Sequence, residues 1–271
     1  MTDFLFLLTL PPVAKGLAAM AIAGLCFPAA GVMVLRLDLI PMRYMLMHGV
    51  ILGGAIALAF SLPLLPITIL INVLLVFAML KMAGDTSKGF GVSSAAAMVF
   101  TMAIASLVMQ VFDVPAKDTL QLLWGSPFAL NKIDLLLLFC TALTLILYIC
   151  IKFKTISAMF FDQEIAQSLG IHVKFHYTVM VMLISLVIAL AMKLLGALLI
   201  DALLVLPVLI AAIRSQSLKQ LYVLSCLTGL FVSIIGFLAA VATDLPPSGS
   251  IALLSALLFL IVSKTKTRKH L

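Results

Sequence analysis

Apolar side chains run through this chain in long unbroken blocks, and polar residues, proline and glycine mark the joints between them. Nine blocks result, at about 14–35, 41–61, 64–82, 93–112, 133–151, 176–192, 196–213, 220–241 and 250–263. A membrane-spanning helix needs about 20 apolar residues in a row, whereas barrel strands alternate over about ten. The pattern therefore predicts an all-α polytopic membrane helical bundle with about eight or nine transmembrane helices. The joints at Ser61-Leu62-Pro63 and at Gly196 are tight enough that either neighbouring pair could be divided differently.

Composition agrees. Of 271 residues, 65% are hydrophobic and only 10% charged, against about 25% charged in a soluble domain. Little chain is left outside the spans, which excludes a soluble domain of ordinary size and a nucleotide-binding domain. One transmembrane permease domain over residues 1–271 is the expected organisation. The N-terminal stretch 1–10 is apolar but carries Asp3 and no basic flank, which does not fit a secretory leader. Cys26, Cys140, Cys150 and Cys226 all fall inside apolar blocks, so packing rather than disulfides or zinc knuckles is expected of them.

The net charge of +7 is not a nucleic-acid signature, because the 17 Lys and Arg lie in short loops and one tail with no aromatic interleaving. It is a topology signal instead. With the 152–175 loop placed inside, Arg36, Arg43, Lys81, Lys88, Lys152, Lys154, Lys174, Arg214, Lys219, Lys264, Lys266, Arg268 and Lys269 fall inside, and only Lys15, Lys117, Lys132 and Lys193 outside. Positive residues favour the cytoplasm, so this split predicts an outside N-terminus and a cytoplasmic C-terminus.

Two loops are long enough to be structured. The outer one, about 113–132, is amphipathic and holds Trp124, a residue suited to a membrane interface. The inner one, about 153–175, contains Phe161-Asp162-Gln163-Glu164-Ile165-Ala166-Gln167-Ser168-Leu169-Gly170. Asp162 suits an N-cap, Glu164 a first turn and Gly170 a C-terminal stop, which predicts a helix of about five to eight residues. It reads equally as a plain surface helix or a partner-docking one. A rigid turn is expected at Asp244-Leu245-Pro246-Pro247-Ser248-Gly249, opening the last helix.

An ionisable group in hydrocarbon costs roughly 2.5–3.5 kcal/mol on insertion scales, so the few present invite a functional question. Asp201 is the acidic residue well inside a block, and His48 lies early in the second one. Carboxylate and imidazole are both ligands for a divalent first-row cation and both carry protons. At 1.5 Å per helical residue, His48 stands roughly 10 Å above the inner end of its span and Asp201 roughly 8–12 Å below the outer end of its own. One shared site and two stations along a path are both open. Met42, Met45, Met47, Met180, Met182 and Met192 offer thioethers, but methionine in an apolar helix is usually packing. The chain has no HExxH, GxSxG or Walker A motif, so neither proteolysis nor ATP hydrolysis of its own has a basis.

Taken together, several stretches resemble the permease subunit of bacterial ABC importers for zinc, manganese and related metals. Residues 196–207 are similar to the family's Gly-x-Leu-Leu-x-x-x-Leu-Leu-x-x-Pro segment, ending on Pro207. Residues 161–173 resemble its Asp-x-Glu-x-Ala-x-x-x-Gly cytoplasmic loop, matched by Asp162, Glu164, Ala166 and Gly170. Trp124-Gly125-Ser126 with Asp134 is similar to its outer loop, and Asp244, Pro246 and Gly249 to its Asp-x-Pro-Ser-Gly ending. Arg36, His48 and Gly53 also fall where the family places them. The family reads Gly-Asp-x-x-x-His in the second span; here Arg43 and Tyr44 replace the first two residues and His48 remains. Asp201 stands where the family has a small residue.

The resemblance implies a type II ABC importer-like permease that is not itself an enzyme and holds no permanent cofactor. Its cargo would be Zn2+ or Mn2+, with iron as a further option. Its partners would be a cytoplasmic ATP-binding subunit docked at Asp162–Gly170, a periplasmic or surface metal-binding protein, and a second permease chain, identical or paralogous. Its place would be the bacterial cytoplasmic membrane. His48 and Asp201 are the expected metal ligands, Asp201 replacing the carboxylate that Tyr44 lacks. Gly53, Gly196, Pro207, Asp244, Pro246 and Gly249 are the expected turns or hinges. A permease for a metal chelate or vitamin, and a proton-coupled carrier using Asp201, are the rival readings.

Overall fold

The computed structural model describes residues 10–82, 87–115, 117 and 125–267. The reading of stretch 1–10 as no leader falls, but for Leu10, on residues outside these, as do the reading of Trp124 as an interface residue and the placing of Arg268 and Lys269. Twelve α-helices are described: α1 (Pro11–Arg36), α2 (Ile40–Ala59), α3 (Leu64–Met82), α4 (Ser87–Val111), α5 (Lys132–Ile151), α6 (Phe153–Phe161), α7 (Gln163–Ser168), α8 (Val173–Leu195), α9 (Ala197–Leu204), α10 (Leu206–Arg214), α11 (Leu218–Thr243) and α12 (Pro247–Thr267). Among the described residues, nine segments are long and apolar enough to cross a membrane, α9 and α10 together making one of them.

The ends of these helices follow from local chemistry. Asp38, Ser61, Asp113 and Asp244 take left-handed φ of 54°, 51°, 51° and 54° where α1, α2, α4 and α11 finish. Short polar side chains tolerate that region better than apolar ones do. α5 opens on a reciprocal cap: the Asp134 backbone N–H donates to Asn131 Oδ1 at 2.8 Å, and the Asn131 N–H donates to Asp134 Oδ2 at 3.1 Å. That pair satisfies two of the backbone donors a helix start leaves open.

The seventh apolar block is two helices, divided beside Pro207, one of the expected turns or hinges. It breaks at Val205, and Pro207 sits at the start of α10. Proline has no N–H for the carbonyl four residues back and crowds it, so the chain restarts its helix there. The inner loop differs, holding α6 ahead of the expected short helix. α6 buries Ile156 and Met159. The cysteine expectation needs correction as well. Cys26 is buried, but Cys140 and Cys150 are exposed on α5, a helix that leaves most of its apolar surface outward. Of the methionines, Met42, Met45 and Met180 are fully buried, which is packing.

The chain divides into two compact units. The first comprises Met1–Val32, Trp124–Leu143 and Leu194–Leu271. In it α9 packs on α12, and α10, α11 and α12 pack on one another. Phe128 and Phe237 stack with centroids 5.5 Å apart. At Gly31 on α1, a Cβ would collide with the Leu204 carbonyl oxygen and stand 3.0 Å from Val208 Cγ2, so α1 meets the α9–α10 break backbone to backbone.

The second unit comprises Met33–Leu123 and Thr144–Lys193. α2 is its central helix, packed on α3 and α4, which pack on each other. Contact with α3 runs through Gly49 and Gly53, one helical turn apart. A Cβ on Gly53 would stand 2.7 Å from the Thr68 Cα, and one on Gly49 would overlap Asn72 Oδ1. Small residues at this spacing let membrane helices approach closely. Large apolar side chains point outward from α3 and α4, among them Leu70, Leu74, Phe77, Phe100 and Leu107, as lipid-facing surfaces require.

Candidate functional site

Three groups of residues carry the chemistry the sequence singles out. The first is around His48, in the second unit. Pro41 in the first turn of α2 is preset for a helix start, and one further turn sets Tyr44 and His48 on one face. His48 Nδ1 lies 2.7 Å from the Tyr44 carbonyl oxygen. A carbonyl only accepts, so Nδ1 carries the proton and Nε2 keeps its lone pair. This is how metal-binding imidazoles are usually oriented. The residue is partly exposed. Nearby, the Arg43 guanidinium lies over the Tyr44 ring at 4.5 Å from its centroid. Where the family carries an acid, this chain therefore carries a phenol and a cation.

Sequence reading passed over two residues behind His48. Gly49 is the close-approach point to α3, and Asn72 is the side chain it meets. Asn72 is 1% exposed, and neither amide atom has a hydrogen-bonding partner among the described residues. The Gly-x-x-x-Gly spacing from Gly49 to Gly53 was the available signal.

The second group belongs to the first unit. Asp201 is half-buried in the middle of α9, and its carbonyl accepts from the Val205 N–H at 3.3 Å where the helix breaks. Gly196 starts α9 with φ 93°, and Pro207 opens α10. Asp201 thus sits one turn from an interruption, the kind of place where spanning helices expose backbone to a path. His48 and Asp201 are assigned to different units. Among the described residues no group of three or more His, Cys, Asp or Glu gathers to hold a metal.

The third group is the inner loop. Asp162 Oδ1 accepts from the backbone N–H of Glu164 at 2.8 Å and of Ile165 at 2.9 Å. The cap starts α7, and Gly170 ends it at φ 80°. Ala166 is fully buried, which fixes how the six-residue helix is seated. Around it Phe161 at the end of α6, Ile165 on α7 and Leu169 just past its end are 84%, 50% and 70% exposed. Such a set of large apolar groups around a capped loop helix is what a protein partner covers. In the last of the predicted turns, Asp244 is left-handed and α12 begins at Pro247. Gly249 lies in its first turn, where a Cβ would meet only Pro246 Cγ at 3.8 Å.

Nine apolar spans among the described residues, a broken helix with a half-buried acid, and a capped loop helix with exposed apolar neighbours describe a polytopic helical membrane protein. The chain matches the ABC 3 transport family over residues 11–266 and belongs to it. It is similar to the manganese import system permease protein ScaB of Streptococcus parasanguinis, with 31% identity over 157 residues, 56% of each chain. It is also similar to the high-affinity zinc uptake system membrane protein ZnuB of Buchnera aphidicola, with 24% identity over 229 residues, 83% of this chain and 85% of the relative. The match spans about half the length of the manganese relatives. Among solved structures, PsaBC from Streptococcus pneumoniae in complex with Fab shares the fold. Its TM-score is 0.79 at 23% identity, over 96% of this chain and 94% of that one.

Proposed function

We propose that this chain is the membrane subunit of an ABC importer that carries a divalent transition metal, manganese or zinc, across the bacterial cytoplasmic membrane. Family membership over nearly the whole chain supports the class, and the relatives' names supply the cargo. It also speaks against a stand-alone proton-coupled carrier. The two units serve as one permease domain over 1–271, alongside a second permease chain. The charge asymmetry puts the 152–175 loop and the C-terminus in the cytoplasm. A metal-binding protein delivers the ion at the outer face, where 113–132 and 244–249 lie.

A doubly charged ion cannot enter hydrocarbon bare, so it must exchange water for ligands that hold it weakly enough to let go. His48 Nε2 and the Asp201 carboxylate are the groups proposed for that exchange, either together or in succession. The free energy comes from ATP hydrolysed by the partner.

The observation that carries the reading is the uncovered apolar surface around α7, with Phe161 at the end of α6, Ile165 on α7 and Leu169 just past its end exposed, and Ala166 buried. The ATP-binding subunit docks there. Its co-purification with the wild-type chain is expected to fall at least tenfold with Gly170→Pro, because proline cannot take a positive φ. Asp162→Ala removes both cap bonds and costs the helix about 1 kcal/mol, so it weakens capture less. Capture unchanged by Gly170→Pro would remove α7 from the docking surface.

A further inference from the structure

The chain has four histidines, and two of them, His172 and His176, stand four residues apart where α8 begins. The His176 backbone N–H donates to the His172 carbonyl at 3.2 Å, which closes a helical turn between them. Residues at that spacing lie on one face, and paired histidines there can chelate one metal ion. His172 is exposed and His176 partly exposed on the protein surface.

The His176 ring is also held. The Tyr148 hydroxyl lies 3.0 Å from His176 Nδ1 and 3.5 Å from the His176 carbonyl oxygen, to which it can donate. With the O–H turned to the carbonyl, Nδ1–H donates to the phenol oxygen and Nε2 keeps its lone pair. Phe175 packs edge-on against the same ring at 5.4 Å. A ring held in place by an outer partner is a usual feature of metal-binding imidazoles.

We propose that His172 and His176 form a bidentate site for a divalent first-row transition metal ion on the opening turn of α8. Water completes the coordination shell, since no third His, Cys, Asp or Glu joins the pair among the described residues. The Lys152 ammonium also acts on His176, and its charge opposes a second cation. The site is therefore weak and exchanges readily. It lies four residues past the end of α7. That it meets imported cargo on the cytoplasmic side rests on the transport reading above; the chelation itself does not.

The test uses the full chain in detergent with His48→Ala and His270→Ala, which leaves this pair as its only histidines. Copper(II) is titrated in at neutral pH and the equatorial nitrogens are read by electron paramagnetic resonance. One equivalent with a two-imidazole pattern is expected. His172→Gln or His176→Gln is expected to abolish that pattern and weaken binding tenfold or more. Lys152→Ala is expected to tighten it about fivefold, the effect of removing one nearby charge in a partly wet site. A parent chain with no two-imidazole signal, or a His172→Gln/His176→Gln chain that keeps one, overturns the site. No ATPase and no uptake enter this measurement, so its failure leaves the transport reading standing, and failure of uptake leaves the chelate standing.

Discussion

Gly31→Val is expected to be the most damaging single substitution in the first unit. At Gly31 the added carbon meets the Leu204 carbonyl, not the far end of a flexible side chain. Relief requires α1 to move away from the α9–α10 break. The flanking Ala29, Ala30 and Val32 are all buried, so such a shift would disturb packing along a full turn of α1. Overpacking typically costs up to about 3 kcal/mol, and this contact belongs at that upper end. The expected result is a chain that accumulates poorly in membranes and melts well below the parent in detergent. Gly31→Ala already introduces the collision and is expected to show most of the loss. Gly249→Ala is the matched control, since its Cβ would meet only Pro246 Cγ at 3.8 Å. It is expected to stay within about 0.5 kcal/mol of the parent. Parent-like melting of Gly31→Val would show that α1 does not press on Leu204.

The unevenness of that pair shows what could be read from the chain beforehand. Both glycines sit in apolar or turn-rich contexts, and Gly249 lies in the more motif-like one. Yet it is Gly31 that has no room. Hydrophobic blocks report that a segment spans; they carry no record of which helix it meets, because in lipid all faces of a span are apolar. For the same reason the placement of Cys140 and Cys150 on an outward face was invisible. Features written by local backbone chemistry were legible: the Asp162 cap, the Gly170 stop, and the punctuation at Ser61 and Gly196. The break in the seventh block was legible in part: Pro207, which removes a backbone donor, stood among the expected turns or hinges, while the unbroken apolar pattern left the block whole. Of the candidate ligands, the sequence identifies His48 and Asp201 as costly groups. Only the structure shows that the Tyr44 carbonyl holds the proton of His48 on Nδ1.

His48→Ala is expected to lower manganese or zinc uptake by the assembled importer at least about tenfold, the scale on which even outer-shell changes weaken metal sites. Co-purification of the ATP-binding subunit should not change, because His48 is on α2, apart from α7. His48→Gln keeps the volume and a hydrogen-bonding group but offers no imidazole nitrogen, so it is expected to behave like alanine in uptake. The informative companion is Tyr44→Asp, which puts a carboxylate one turn before His48, where the family has one. On charge alone that should tighten cation binding. Here, however, the Arg43 guanidinium already lies 4.5 Å from the centre of the Tyr44 ring, and it would pair with the new carboxylate before any ion arrived. Tyr44→Asp alone is therefore expected to change uptake little, while Arg43→Gly/Tyr44→Asp, which frees the carboxylate, is expected to raise apparent affinity severalfold. Radiolabelled metal uptake at several concentrations separates affinity from rate. If His48→Ala transports like the parent at limiting metal, the imidazole is not a ligand, and the cation must cross on Asp201 and backbone oxygens instead.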